Sequence, residues 1–255
     1  MKILVVTSEV TFVPGNYNHF LEGLFRELQG EKDLSIDLVI LKNNSPVLTL
    51  RGFALGLMGA RRIGLSLMKN TLKAAFKDRR ALAKKHDIPL HFFDNPNSPD
   101  FLEFVKNHQT DLLINARTRF IYKSKILKLP RLGAINIHHG LLPEFRGTMC
   151  DLWALYNNRP TGFSIHVMEK KIDNGGIIRR IETSTPKDSK LRKSFARLIE
   201  ESSKIEGIEM AKVVKMIKET QKIPIEQDNI STKTEYTKNP DFFAIRKMLQ
   251  KGIEL

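Results

Sequence analysis

The sequence predicts an α/β protein: a doubly wound, mostly parallel sheet followed by a short, mainly helical C-terminal extension. Three observations carry that prediction. Residues 2–7, KILVVT, and 36–42, IDLVILK, are short apolar runs of strand type, with Phe20, Leu21, Leu24, Phe25 and Leu28 at helical spacing between them. This is a β-α-β opening, and such a crossover joins parallel strands. The rhythm then continues through strands at 88–93, 111–116 and 134–138, separated by helical stretches. Last, TGFSIHVM (161–168) and GGIIRRIETS (175–184) read as an antiparallel pair, joined tightly at Asp173-Asn174-Gly175.

Each remaining element has its own signal. A Pro-Gly-Asn loop follows the first strand. Residues 61–85 predict a long helix that packs through Leu65, Met68, Leu72 and Phe76, with Arg62, Lys69, Lys73, Lys77, Arg80 and Lys84 as a stripe along its flank. Ser98 and Pro99 introduce a helix over 98–107, and Pro130 ends a helical segment over 122–129. Beyond residue 185 a Lys/Glu-rich helical pattern covers 189–220, and a polar, irregular stretch runs to DFFAIRKML. No repeat, low-complexity tract or linker interrupts the chain. It divides into a core over 1–185 and an extension over 186–255 packed on it.

Composition narrows the function classes. With 41% hydrophobic and 27% charged residues among 255, the chain can bury a core and is not disordered. A single cysteine, Cys150, excludes an internal disulfide and any multi-cysteine metal site, and is read as a small filler. The start, MKILVVTSEV, passes directly into polar residues, unlike a signal peptide, and no apolar run approaches the ~18–20 residues of a membrane span. The expected location is the cytoplasm. The net charge of +14 favours a polyanionic partner or an anionic surface. Ten Lys/Arg between Arg51 and Lys85, against Asp78 alone, supply most of it.

The chemistry gathers around INIHHGLLPEFRG (135–147), where an apolar strand ends in an asparagine and two adjacent histidines before a proline-broken loop. Polar, titratable side chains at such a strand end are a common way to build a reaction site in α/β proteins. Taken alone, Asn136 could be a turn former, and an aspartate before Asn-Gly could be turn chemistry. The stretches LPRLGAINIHHGLLPEFRG (129–147) and TGFSIHVMEKKIDNGGIIRR (161–180) together resemble the formyltransferases that use 10-formyltetrahydrofolate. That family comprises the glycinamide ribonucleotide, methionyl-tRNA and sugar-nucleotide enzymes. The resemblance covers roughly residues 1–185, the first hundred in layout more than in identity.

The resemblance implies a Rossmann-like formyltransferase core, no metal, and 10-formyltetrahydrofolate as cosubstrate. It puts the catalytic asparagine on Asn136, the histidine on His138 and the aspartate on Asp173. An amine attacks the formyl carbon, an oxyanion develops, one proton leaves the attacking nitrogen, and another reaches the departing folate nitrogen. Asn136 and a protonated His138 can donate to the oxyanion, while Asp173 raises the histidine pKa and relays protons through a water. ARTRFIY (116–122) corresponds to the pteridine-binding segment and places Arg119, Phe120 and Ile121 at the ring's edge. Met168, Ile172 and Gly175, from the loop 168–175, form the opposite wall. His139, Gly140, Arg146 and Gly147 are assigned to the substrate side. Here Arg117 takes a place commonly filled by glycine, and Gly140 one that frequently holds serine.

Three acceptor amines compete. Glycinamide ribonucleotide enzymes carry a glycine-rich phosphate loop after the first strand, where this chain has SEVTFVPGNYNHF with Gly15 alone. The tRNA enzymes add a β-barrel of about a hundred residues, and the pattern after residue 185 is helical instead. A nucleotide-linked amino sugar of surface polysaccharide synthesis is the preferred acceptor. The basic stripe could then meet the nucleotide, an anionic membrane surface or a homodimer partner. Two readings stay beside it: a deformylase releasing formate from the same cosubstrate, and a non-catalytic basic module binding nucleic acid. No aromatic-interleaved RNA signature or helix-turn-helix pattern favours the last.

Overall fold

The computed structural model describes residues 1–75, 78–188, 192–231 and 233–255. Seven strands form one sheet, in the order β3-β2-β1-β4-β5-β7-β8. They are β1 (Lys2–Ser8), β2 (Ser35–Leu41), β3 (Leu90–Phe93), β4 (Leu112–Ala116), β5 (Gly133–His138), β7 (Thr161–Val167) and β8 (Ile177–Ser184). The first five run parallel; β7 is antiparallel to β5, and β8 to β7. A short parallel pair, β6 (Phe145–Gly147) and β9 (Glu235–Thr237), lies apart. Order reverses at β1, so its C-terminal end beside that of β4 is the crevice where such sheets bind ligands.

Both faces of the sheet are covered because the strand residues alternate between two cores. Ile3, Val5, Leu38, Ile40, Leu112 and Ile114 face one side with α1 (Asn18–Leu28) and α8 (Phe195–Thr220). Leu4, Val6, Val39, Leu41 and Leu113 face the other, against Phe101 and Val105 of α5 (Pro99–Asn107) and Ile126 of α6 (Ser124–Leu127). Near-continuous burial along β1 and β4, and over the last four residues of β2, is what two covered faces require. Helix α8 approaches α1 through Gly207, where a Cβ would lie 2.2 Å from the Phe20 carbonyl oxygen.

Four features differ from the sequence reading. Residues 46–57 form an unexpected helix, α2 (Pro46–Leu57), whose all-round apolarity gives no period to detect. The long helix expected over 61–85 is α3 (Arg61–Ala75) and α4 (Asp78–Lys85). Its predicted packing face is kept only in part: Leu65 and Leu72 are exposed and Met68 is half-buried, while Ile63, Leu67, Asn70 and Ala74 are buried. Phe76 and Lys77 lie outside the described residues, as do 189–191 at the start of the helix expected over 189–220, which begins at Phe195. The tight connection at Asp173 is a longer loop, because β7 stops at Val167 and β8 starts at Ile177. Helices α7 (Cys150–Tyr156) and α9 (Phe242–Gln250) complete the chain.

Candidate active site

Asn136 sits in a row of side chains across three adjacent strands, because register pairs it with Asn115 on β4 and with His166 on β7. The Asn115 amide donates to Asn136 Oδ1 at 2.8 Å. On the other side Asn136 Nδ2 lies 3.0 Å from His166 Nε2, and His166 Nδ1 lies 2.8 Å from the Val167 carbonyl oxygen. That carbonyl can only accept, so Nδ1 carries the proton and Nε2 accepts from Asn136. Burial first, and the charge of His138 second, push the His166 pKa down to about 4, so the ring is neutral at pH 7. Asn136 is therefore pinned from both sides, with one amide N–H left for a ligand.

His138 lies two residues on, at the end of β5. Its Nε2 is 3.1 Å from the Phe145 carbonyl oxygen and 3.5 Å from Cys150 Sγ. Its Nδ1 is 3.6 Å from Asp173 Oδ2, and the other carboxylate oxygen is 3.7 Å from His166 Nε2. Burial alone would lower the His138 pKa. The adjacent Asp173 and Cys150, with the Phe145 carbonyl, outweigh it and raise the value to about 9, which makes the ring an imidazolium at neutral pH.

Asp173 is aimed by its backbone. It holds a left-handed conformation (φ 50°), and its Oδ2 accepts from the Gly147 N–H at 3.0 Å. Asn229 donates to the Asp173 carbonyl at 3.0 Å and to that of Gly175 at 2.9 Å. Gly147 has φ 98°, and a Cβ there would lie 2.3 Å from the Thr237 carbonyl oxygen. Residues beyond 185 thus hold the loop that carries the carboxylate.

These groups line a cleft of about 740 Å³. Phe120, Ile121, Tyr122, Met168 and Ile172 line it, with Arg51, Arg117, Arg119 and Lys170. Apolar walls with a few polar groups suit a flat heteroaromatic ring, so the residues present fit a folate. Among the described residues Arg51, Arg117 and Arg119 form no ion pair, and Arg117 Nη1 is buried without a hydrogen-bond partner. Burial first, and the neighbouring Arg51 charge second, lower the Arg119 pKa.

Of the residues expected at the site, Asn136, His138, Asp173, Arg119, Phe120, Ile121, Met168, Ile172, His139 and Gly147 border the cleft. Three do not. Arg146 turns away from the substrate side and is 5% exposed, donating to the Asn229 carbonyl at 2.8 Å and to Asn174 Oδ1 at 2.9 Å. Gly140 backs onto the histidine, where a Cβ would lie 2.7 Å from His138 Nε2. Gly175 is pressed against the Val167 carbonyl, 2.1 Å from where its Cβ would be.

His139 meets two buried carboxylates, Asp151 Oδ2 at 3.0 Å and Glu206 Oε1 at 2.6 Å, and Tyr17 donates to Glu206 from beneath. Glu206 is lowered in pKa despite burial, because His139 lies against it. Asn115, His166, Glu206 and Asn229 escaped the sequence reading. Only His166 had a usable signal: pairing INIH with TGFSIHVM in antiparallel register places it opposite Asn136.

The fold and the site together define an α/β protein with a neutral amide, an imidazolium and a carboxylate gathered at the floor of an apolar cleft. The chain belongs to the formyl transferase family, whose model matches residues 69–207. It is 35% identical over 107 residues to the bifunctional polymyxin resistance protein ArnA of Wigglesworthia glossinidia brevipalpis, covering 42% of this chain and 16% of that protein. It is 36% identical over 127 residues to methionyl-tRNA formyltransferase of Thermotoga maritima, covering 49% and 41%. Over 83 residues it is 39% identical to GDP-perosamine N-formyltransferase of Brucella melitensis, covering 32% of each. The chain thus matches less than half the length of these relatives. The fold is shared with a sugar N-formyltransferase from Shewanella (TM-score 0.56, 19% identity, 93% of this chain and 76% of that one). It is shared also with phosphoribosylglycinamide formyltransferase from Anaplasma phagocytophilum (TM-score 0.58, 17% identity, 93% and 98%).

Proposed function

We propose that the protein transfers a formyl group from 10-formyltetrahydrofolate to the primary amine of a nucleotide-linked amino sugar. The convergence of Asn136, His138 and Asp173 on one cleft floor carries this reading. Folate supplies the formyl carbon. The free amide N–H of Asn136 and the Nδ1–H of the His138 imidazolium, which at 3.6 Å from Asp173 is not hydrogen-bonded to it, donate to the oxygen that becomes negative as the amine nitrogen attacks. Asp173 keeps His138 charged and takes the proton shed by that nitrogen, directly or through a water. The C–N bond to the folate nitrogen breaks as the proton taken up by Asp173 passes to that nitrogen, and the carbonyl re-forms on the product amide.

The acceptor class is supported by charge. Like-charged Arg51 and Arg119, with Arg117 lacking an acceptor, suit a ligand that brings a diphosphate into the cleft. A phosphate seat after β1 is disfavoured because amides there are already spent: Val10 N–H donates to Asn43 Oδ1 and Thr11 N–H to Asn16 Oδ1, both at 2.8 Å. Likeness to a GDP-perosamine N-formyltransferase agrees with this acceptor. The test incubates the protein and 10-formyltetrahydrofolate with nucleotide-linked amino sugars and follows mass gain by one formyl group. Formate release without any amine, or formylation of methionyl-tRNA in preference to every amino sugar, would replace the proposal.

A further inference from the structure

Helix α2, PVLTLRGFALGL, has one charged residue, Arg51, and is apolar around its whole circumference, the composition of a helix surrounded by apolar material. Yet only Leu48 and Gly52 of it are buried. Val47, Leu50, Phe53 and Leu57 are 54%, 67%, 55% and 76% exposed. Helix α3 adds Leu65 and Leu72, at 56% and 60%. Six of the fourteen large apolar side chains exposed among the described residues therefore fall on two adjacent helices, too many to be scatter.

The two helices make one hairpin. They meet at glycines, where a Cβ on Gly64 would lie 2.4 Å from the Gly52 carbonyl oxygen and 3.0 Å from the Gly56 nitrogen. With α2 residues 52 and 56 set against 68 and 64, the pair runs antiparallel. Helical spacing puts Leu50, Phe53 and Leu57 on one side of α2, opposite the buried Leu48 and Gly52. On α3, Lys69 stands four residues after Leu65 and three before Leu72, on the same stripe, with Arg61 and Lys73 flanking it. Residues 46–75 contain five cations and no acid. Arg62 alone of them meets a carboxylate among the described residues, Glu254 at 2.7 Å.

We propose that the α2–α3 hairpin seats the protein on an anionic lipid bilayer. The apolar side chains enter the boundary between headgroups and acyl chains, and Arg61, Lys69 and Lys73 meet lipid phosphates. The hairpin lies on the membrane and does not cross it: twelve residues of helix span about 18 Å against a hydrocarbon core of about 30 Å. No helix among the described residues is long and apolar enough to cross. Charge selects this occupant over a second copy of the chain, which would set two acid-free cationic faces against each other. Docking also orients the cleft. Arg51, Ala54 and Leu55 of α2, and Met58 just beyond its end, border it, so the bilayer comes to lie beside the cleft mouth.

The test is flotation of the full chain with phosphatidylcholine vesicles, with and without phosphatidylglycerol. The chain floats with the anionic vesicles and is released by high salt. Lys69→Glu with Lys73→Glu lowers the partition coefficient by at least about fivefold per charge, and Leu50→Ser with Leu57→Ser abolishes flotation. All four side chains are exposed, so unchanged circular dichroism verifies the fold. A Phe53→Trp variant gains blue-shifted emission on anionic vesicles. Flotation that ignores both double variants overturns the proposal. So does a chain that binds no vesicle but sediments as a dimer which Leu50→Ser with Leu57→Ser converts to monomer.

Discussion

His138 and Asp173 face each other at 3.6 Å between imidazole Nδ1 and carboxylate Oδ2, 35 residues apart in the chain. The carboxylate and Cys150 overcome burial and raise the histidine pKa to about 9. A pKa raised on folding lends stability that is complete below the unfolded value near 6.5 and is lost as pH climbs through about 9. The same proton serves the proposed oxyanion. The alkaline limb of kcat/KM is therefore expected near pH 9, and Asp173→Asn moves it to lower pH by removing the charge that holds the proton. A pH–rate profile of both proteins checks this; an unmoved limb would detach Asp173 from the ionisation of His138.

Asn136→Ala removes one oxyanion donor and should lower kcat by about a hundred- to thousandfold with little change in KM. His166→Ala removes the acceptor that holds the amide at 3.0 Å and leaves the donor in place but loose. A misplacement of about 1 Å costs up to about a hundredfold, so its loss in kcat should be the smaller of the two. The double variant should be scarcely worse than Asn136→Ala alone, because His166 acts through that amide. Additive losses in steady-state kinetics would give His166 an independent role.

The sheet was legible wherever period 2 or an unbroken apolar run marked a strand, as in KILVVT and TGFSIHVM. Helix α3 shows where the pattern misleads. Leu65 and Leu72 repeat at helical spacing, but so do Ile63, Leu67, Asn70 and Ala74, and the second set is the buried one. Asn70 disguised it: that amide is buried because it donates to the carbonyls of Thr11 and Val13, partners some sixty residues away. Spacing reports a face without saying what the face meets. Arg146 lies outside the cleft lining for the same reason, since Asn229 and Tyr236, which it meets, lie more than eighty residues further on. Asn136 and His138 were legible because strand end, residue type and flanking motif agreed.

Arg146→Ala removes the guanidinium that donates to the Asn229 carbonyl and side chain, to Asn174 and to the Tyr236 hydroxyl. Hydrogen bonds to a charged group are worth about 1.5–3 kcal/mol, so the urea midpoint should fall by an equivalent amount. Because Asn229 also holds the carbonyls of Asp173 and Gly175, turnover should fall beyond what lost stability explains. Measured well below the unfolding transition, kcat should drop while the KM for folate rises little. A substrate-facing Arg146 would instead raise the KM for the acceptor and leave the urea midpoint unchanged.

Gly140 makes the packing behind His138 a test of the same imidazole. A Cβ there would lie 2.7 Å from His138 Nε2, 2.8 Å from Cys150 Cβ and 3.1 Å from Cys150 Sγ. Gly140→Ser should therefore overpack the site and destabilise the fold by about 1–3 kcal/mol. It should also lower kcat, because Nε2 must leave the Phe145 carbonyl that it meets at 3.1 Å. Cys150→Gly removes two of the three clashing atoms. Its own cost exceeds the ~1 kcal/mol penalty for glycine in a helix, because Cys150 is buried against Phe145 and Ala154 and its loss leaves a cavity. The combination should then be more stable and more active than the sum of the single effects, a favourable coupling readable in a double-mutant cycle of urea unfolding and kcat. Strict additivity would mean that the sulfur does not crowd Gly140, and that the ring of His138 alone sets the limit on what this turn can hold.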